Sequence, residues 1–368
     1  MYPVEELLAL EAFSELDTEL LEIYLETARR FSRERLFPAY RPMDEAPPKL
    51  VGGEVAIHPL MHELYPRLVE LGTIGATRPE SVGGAQLPHL VATLANMYLM
   101  AGNAAAVGYT LLTAGAAHLV EIFGDDEVKA TFLEPMMSGR WTGTMALTEP
   151  QAGSSLADVL ATATPTDAGH YLVRGAKIFI SGGMQDLTEN VVHLTLARID
   201  GAPPGSKGVS LFVVPRRRVG PDGQLVDNDL KATQLIHKIG WRGLPSLGLT
   251  YGEDDDCHGW LIGPPNAGLR CMFQMMNEAR LMVGANGAAT ASVAYHEAVA
   301  YARERKQGRP ASDRDPTKGQ RPIIEHADVR RMLLRQRAIV DGAIALVACG
   351  ARYADVATHG ATEAARQE

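Results

Sequence analysis

Apolar residues return at helical spacing from Asp17 to about Arg35, where Leu20, Leu21, Tyr24, Leu25 and Ala28 stand among charged side chains. That period predicts an amphipathic helix. Arg41 to Gly53 is rich in Pro and Gly and reads as a connection, and Pro59 to Leu71 resumes the helical period. Leu87 to Val120 contains no Asp, Glu, Lys or Arg, but Asn96, Gly102, Asn103, Gly108 and Gly115 interrupt it. Two buried helices are expected there rather than a membrane span. A further helix is expected from Asp125 to Met137, with an acidic first turn.

The pattern changes at Trp141. Strand-like runs appear at Trp141–Leu147, His170–Ile180, Asn190–Arg198, Val209–Pro215 and Leu247–Tyr251, separated by Gly, Pro and Asp clusters. No long helices lie between them, so an antiparallel barrel or sandwich is expected rather than repeated βαβ units. Helical spacing returns from Gly268 to Arg305 and from His326 to about Ala357, and Arg309 to Arg321, dense in Pro, Gly and charge, reads as a mobile loop between them. The expected fold class is α+β in three domains: helical over 1–140, β over 141–263 and helical over 264–368.

Composition narrows the function. Lys and Arg number 35 against 44 Asp and Glu, and this net charge of −9 disfavours a nucleic-acid partner. Cys257, Cys271 and Cys349 show no CxxC spacing, so neither a zinc site nor a disulfide framework is expected. Glu5 and Glu6 stand where a signal peptide carries basic residues, and a cytoplasmic protein is expected.

Two strings carry the chemistry. Met145-Ala146-Leu147-Thr148-Glu149-Pro150-Gln151-Ala152-Gly153-Ser154-Ser155 begins as a strand and opens into a turn. Gly175-Ala176-Lys177-Ile178-Phe179-Ile180-Ser181-Gly182-Gly183 follows after about thirty residues. Taken singly, these are strand ends, a turn and a core aromatic. Together they resemble the T-E-P-x-A-G-S and G-x-K-x-[WF]-I-[ST]-x-[GA] signatures of the acyl-CoA dehydrogenase family.

The resemblance implies an N-terminal helical domain, a middle β-barrel and a C-terminal helical bundle. It also implies FAD as cofactor, an acyl-CoA thioester as substrate and an electron-transfer flavoprotein as redox partner. A flavin needs backbone donors along its polar edge and a hydroxyl near N5. Carried over by position, the strand backbone at Met145 and Leu147, with Thr148, faces the flavin edge. Ser181 reaches N5 and Phe179 covers a ring face. Ser154 lies near the FAD pyrophosphate or the acyl-CoA. Asn266-Ala267-Gly268-Leu269 resembles the entry to the family's long helix, whose Arg near the thioester corresponds to Arg280. Tyr301 to Arg309 resembles the segment whose Arg grips the FAD pyrophosphate of a neighbouring subunit, which implies Arg305 and a homo-oligomer. Thr188 to Leu194, Pro203-Pro204-Gly205 and Met275-Met276-Asn277 are most like the longer branch that includes 3-methylmercaptopropionyl-CoA dehydrogenase.

The family's reaction removes the α-proton of the thioester with a carboxylate while flavin takes the β-hydride. The Y-E-G-[TS] string that carries the usual Glu does not occur here. Glu278 is the alternative on the long helix; it lies about 100° around from the position that some members use, which is Ala279 here. Three readings follow: a truncated or split product, a subunit whose partner completes the C-terminal bundle and supplies the base, or a catalytically silent flavin- or acyl-CoA-binding relative. Met332 to Cys349 is apolar enough to need covering. An oxidase or monooxygenase on the same fold is a further reading.

Overall fold

The structure is a computed structural model that describes residues 4–309, 311, 312, 315, 317–360 and 362–367. Part of the loop expected over 309–321 lies outside the described residues. The described chain runs helical, then β, then helical, in an α+β arrangement.

Asp17 accepts the Leu20 amide at 2.8 Å and so caps helix α2 (Thr18–Phe31), which follows the short α1 (Val4–Leu8). A π turn over Ser32–Leu36 leads into α3 (Phe37–Glu45), with Pro38 near its start and Pro42 inside it. The expected connection from Arg41 to Gly53 is therefore in part helical. Its remainder is a hairpin, β1 (Lys49–Val51) and β2 (Glu54–Ala56), closed by Gly52 and Gly53 at φ +61° and +85°. The first 140 residues are thus not all helical: a Gly-Gly pair between two short half-exposed runs forms a hairpin at the end of the expected connection.

Helix α4 spans Pro59–Glu70, and α5 spans His89–Phe123 with a break at Asn103, where φ is −162° and ψ is 87°. The two expected helices are the two sides of that break. The most apolar window of α5 is long enough to cross a bilayer but is 67% buried within the protein, as in a core helix. Helix α6 (Asp126–Met137) is capped by Asp125, which accepts the Val128 amide at 2.8 Å.

Strands β3 (Trp141–Ala146), β4 (Thr162–Pro165), β5 (Tyr171–Ser181), β6 (Asn190–Ile199) and β7 (Val209–Pro215) come next. A side hairpin, β8 (Arg217–Val219) and β9 (Leu225–Asp227), precedes β10 (Leu230–Leu235), β11 (Ser246–Tyr251) and β12 (His258–Ile262). Strand β4 pairs with both β5 and β6, so β5, β12, β7, β6 and β4 close on themselves. The barrel is mixed rather than purely antiparallel, because β3 and β4 both run parallel to β6. Helices α7 (Gly268–Glu304), α8 (Ala327–His359) and α9 (Glu363–Gln367) complete the described chain.

Two compact units emerge. One comprises Met1–Ser32, Pro88–Ala101 and Leu281–Glu368; the other comprises Arg33–Leu87 and Gly102–Arg280. The core of the first gathers Leu7, Phe13 and Leu90 against Leu94, Ala348, Ala351 and Val356. In the second, Trp141, Val192, Leu194, Leu211 and Val213 of the sheet pack on Ala116, Leu119 and Val120 of α5, Phe132 of α6 and Met272 and Met275 of α7.

Candidate functional site

The two strings meet edge to edge. The Ile178 amide donates to the Thr148 carbonyl at 2.8 Å, and the Lys177 ammonium donates to the Leu147 carbonyl at 3.0 Å. The Thr144 hydroxyl donates to the Ser181 carbonyl at 2.5 Å. Met145, Leu147, Thr148 and Ser181 are all half-buried, at the end of β3 and along β5. Strand β11 holds the other edge, with Ser246 opposite Ser181.

Phe179 stands out in this setting. Its backbone lies in the left-handed region at φ +63° although it sits within a strand, and its side chain is 60% exposed. A non-glycine residue reaches that conformation at a cost, and a large aromatic left in water gains nothing from burial. Both penalties fall next to Ile178, which bonds the Thr148 carbonyl, and two residues before Ser181, where a flat apolar ring with a polar edge would find a stacking face and hydrogen-bonding groups.

Below this surface is an ion pair that the sequence reading did not single out. The Lys177 ammonium is 2.8 Å from the Glu149 carboxylate, and both residues are buried. Glu149 also accepts the Leu160 and Ala161 amides at 2.7 and 3.0 Å and the Gln151 side chain at 2.6 Å. Burial pushes the Glu149 carboxyl upward, but Lys177 and the two amides outweigh it and hold the group below its ordinary value. The Glu of T-E-P and the Lys of the second string therefore fasten the two strings to each other. The available signal was one charge of each sign in two otherwise uncharged strings, Glu149 in the first and Lys177 in the second.

The loop after Glu149 is gripped from below by Arg198, which donates to the carbonyls of Ala157, Val159 at 2.7 Å, Pro203 at 3.2 Å and Gly205 at 2.9 Å. Ser154 lies on this loop and is exposed. His193, opposite Thr144 on β6, is wholly buried, and neither ring nitrogen has a hydrogen-bond partner among the described residues. Burial first and the Arg216 charge second push it down to about 3, so it remains neutral.

On α7, Glu278 is held at 2.5 Å by His118 of α5 and at 2.9 Å by Gln274. Arg280 is exposed, 2.8 Å from the Asn277 side chain and over the Phe273 ring at 5.6 Å from its centre. Arg305, just beyond the end of α7, is exposed; its guanidinium is 3.4 Å from the Gln307 side chain and its carbonyl accepts the Ile323 amide at 2.8 Å. The structure thus brings Leu147, Thr148, Phe179 and Ser181 onto one pair of segments, while Arg305 belongs to the other compact unit.

Comparison with known proteins adds the family. Residues 18–140 match the model of the acyl-CoA dehydrogenase N-terminal domain, and residues 144–252 match that of the acyl-CoA dehydrogenase middle domain. The chain is 41% identical over 359 residues to 3-methylmercaptopropionyl-CoA dehydrogenase of Ruegeria pomeroyi, covering 97% of this chain and 60% of that protein. It is 36% identical to a butyryl-CoA dehydrogenase of Syntrophomonas wolfei, covering 95% of this chain and 58% of the relative. The chain therefore spans less than two-thirds of the length of these relatives. Among solved structures, an acyl-CoA dehydrogenase complexed with FAD from Bacillus anthracis superposes with a TM-score of 0.76 at 20% identity, covering 95% of this chain and 55% of that one. Butyryl-CoA dehydrogenase from Megasphaera elsdenii gives 0.73 at 22% identity, covering 94% and 84%. With both domain models in order along one chain, and relatives of that name aligned over nearly its whole length, this protein belongs to the acyl-CoA dehydrogenase family.

Proposed function

We propose that this chain binds FAD and an acyl-CoA thioester and takes part in forming an α,β-enoyl-CoA. The observation that carries this reading is the exposed, left-handed Phe179, next to Ile178 and two residues before Ser181, on strings held by the buried Lys177–Glu149 pair. FAD bound there would accept the β-hydride of the thioester. Phe179 would stack on the ring, the Met145–Thr148 backbone would face its polar edge, and the Ser181 hydroxyl would orient the end near N5. Ser154 and Arg280 would contact the thioester ligand, and Arg305 is suited to a pyrophosphate through its fork of donors. Domain limits of 1–140, 141–263 and 264–368, a homo-oligomer and electron transfer to a flavoprotein partner belong to the same reading. So does a partner subunit that completes the helical bundle.

Proton removal needs a carboxylate. The engagement of Glu278 with His118 and Gln274 favours anchoring of α7 to α5 over proton transfer. A second reading, a silent flavin- or acyl-CoA-binding subunit, rests on this engagement. One experiment separates the two: anaerobic titration of the FAD-loaded protein with butyryl-CoA and 3-methylmercaptopropionyl-CoA, followed by the flavin absorption band. Bleaching by either thioester supports the dehydrogenase; thioester binding without bleaching supports the silent subunit. Failure of the protein to bind FAD, with Phe179→Ala no different from wild type in flavin fluorescence quenching, overturns the dehydrogenase; failure to bind either FAD or thioester overturns both. If Glu278→Gln binds both ligands normally but never bleaches, Glu278 is the base after all.

A further inference from the structure

Between β10 and β11 the chain passes through Ile236–Pro245 and, together with Pro47 and Pro48, lines an open-mouthed cavity of about 120 Å³. The loop is well anchored: the Ile236 amide donates to the Ser246 carbonyl at 2.8 Å and the Leu244 amide to the Trp241 carbonyl at 3.1 Å. The Tyr109 hydroxyl donates to the Gly243 carbonyl at 3.0 Å. A Cβ on Gly243 would lie 2.9 Å from the end of Met43, so this glycine lets the loop pack directly on α3.

The lining has two characters. Pro47, Pro48, Leu244 and Pro245 make an apolar wall, while Lys238, Arg242 and His237 supply nitrogen. Anionic charge is scarce. Asp44 accepts the Arg242 amide at 3.3 Å and stands 3.8 Å from its guanidinium, and among the described residues the same carboxylate is the opposite charge that acts on Lys238. Two cations share one carboxylate. The Arg242 Nε is buried with no hydrogen-bond partner among the described residues. Burial lowers Lys238 to about 8, and Asp44 opposes this only in part. A buried donor left unsatisfied is costly, and an acceptor seated in the cavity would relieve it.

We propose that this cavity binds a short straight-chain monocarboxylate, its carboxylate between Lys238 and Arg242 and its hydrocarbon tail against Pro47, Pro48 and Leu244. The unmatched cations select an anion. The small volume and the proline and leucine wall select one with a single charged end, because a second charged group would lie unsolvated against hydrocarbon. The far wall adjoins the flavin-site strand: the Gly182 amide donates to the Pro245 carbonyl at 3.0 Å, and Ser246 pairs with Ser181. An occupant therefore packs one residue from the strand that carries Ser181. The site does not depend on flavin.

The test is a thermal-shift and calorimetric titration of the full chain with butyrate, acetate and inorganic phosphate at equal ionic strength. Butyrate should raise the melting temperature saturably and acetate should bind more weakly. Lys238→Met should weaken butyrate binding at least tenfold while leaving the ligand-free melting temperature within about 2 °C of wild type. Lys238→Arg, which keeps the charge, should restore binding to within a few-fold. Absence of saturable butyrate binding, equal binding by Lys238→Met, or phosphate binding as tightly as butyrate would each overturn the proposal. If Lys238→Met fails to fold, the comparison of Lys238→Arg with the uncharged but polar Lys238→Gln decides in its place.

Discussion

Lys177 sits within β5 where neighbouring side chains are apolar, and it is 1% exposed. Removing one member of a buried pair strands the other charge, at a cost of about 3–5 kcal/mol. Lys177→Met should therefore lower unfolding free energy by that amount in urea titrations, and should weaken FAD binding through the Leu147 carbonyl it abandons. His193 makes a prediction of opposite kind, about pH. Its folded value is pushed below that of the unfolded chain, so its stabilising contribution is complete above about pH 6.5 and falls as pH drops toward 3. The slope is at most about 1.4 kcal/mol per pH unit. His193→Phe should flatten the dependence of melting temperature on pH between 6.5 and 4, the differential being read against wild type. Leu147, Thr148, Phe179 and Ser181 were legible in the sequence because they occur in two spaced strings. Lys177–Glu149 and His193 were not singled out as partners or as buried groups, since their significance lies in the absence of water around them, and only folding shows that.

The first amides of helix α5 are served from far along the chain. Asp355 of α8 is fully buried and accepts the His89 amide at 2.6 Å and the Leu90 amide at 3.0 Å. Burial outweighs these two bonds and lifts the carboxyl to about 6. A raised carboxyl favours the native state most at low pH, so this contribution is present below about pH 4 and lost as pH rises through 6. Its sign opposes that of His193 in the same window. Asp355→Ala should cost about 1–3 kcal/mol by leaving two helix-end amides unpaired, and hydrogen exchange at Leu90 should speed up accordingly. Equal exchange in the variant and wild type would show that the cap is idle. Long helices such as α7 and α8 were legible because apolar residues recur along them at helical spacing, and β6 because it is one continuous, almost wholly buried run rich in apolar residues. Strands β8, β9 and β12 run only three to five residues, too short to establish a period, and β4 ends in Pro165. The parallel pairing of β3 with β6 left no trace in either strand, because direction is set by connection and not by side chain.

At the scale of the whole molecule, the unit containing α7 from Leu281 onward and α8 leaves large apolar side chains in water. Leu281, Val283 and Tyr301 on α7 and Leu334, Ile339, Leu346 and Tyr353 on α8 are all more than half exposed. So many large apolar side chains left exposed on two helices point to association. Sedimentation velocity should give a species heavier than one chain, and Leu334→Glu with Leu346→Glu should shift it toward the monomer without changing the far-ultraviolet circular dichroism. A wild-type monomer at micromolar concentration would refute the homo-oligomer.

The parallel β3–β6 pairing also bears on synthesis. Trp141 pairs with Asn190 and Ala146 with Thr195, so β3 leaves the ribosome roughly fifty residues before its partner. At about 5–20 residues per second, that is several seconds during which Trp141, Met145 and Leu147 have only the α5 and α6 faces to shelter them. Codon choice across 150–200, by lengthening or shortening that interval, should therefore alter the yield of soluble protein without altering a single amino acid.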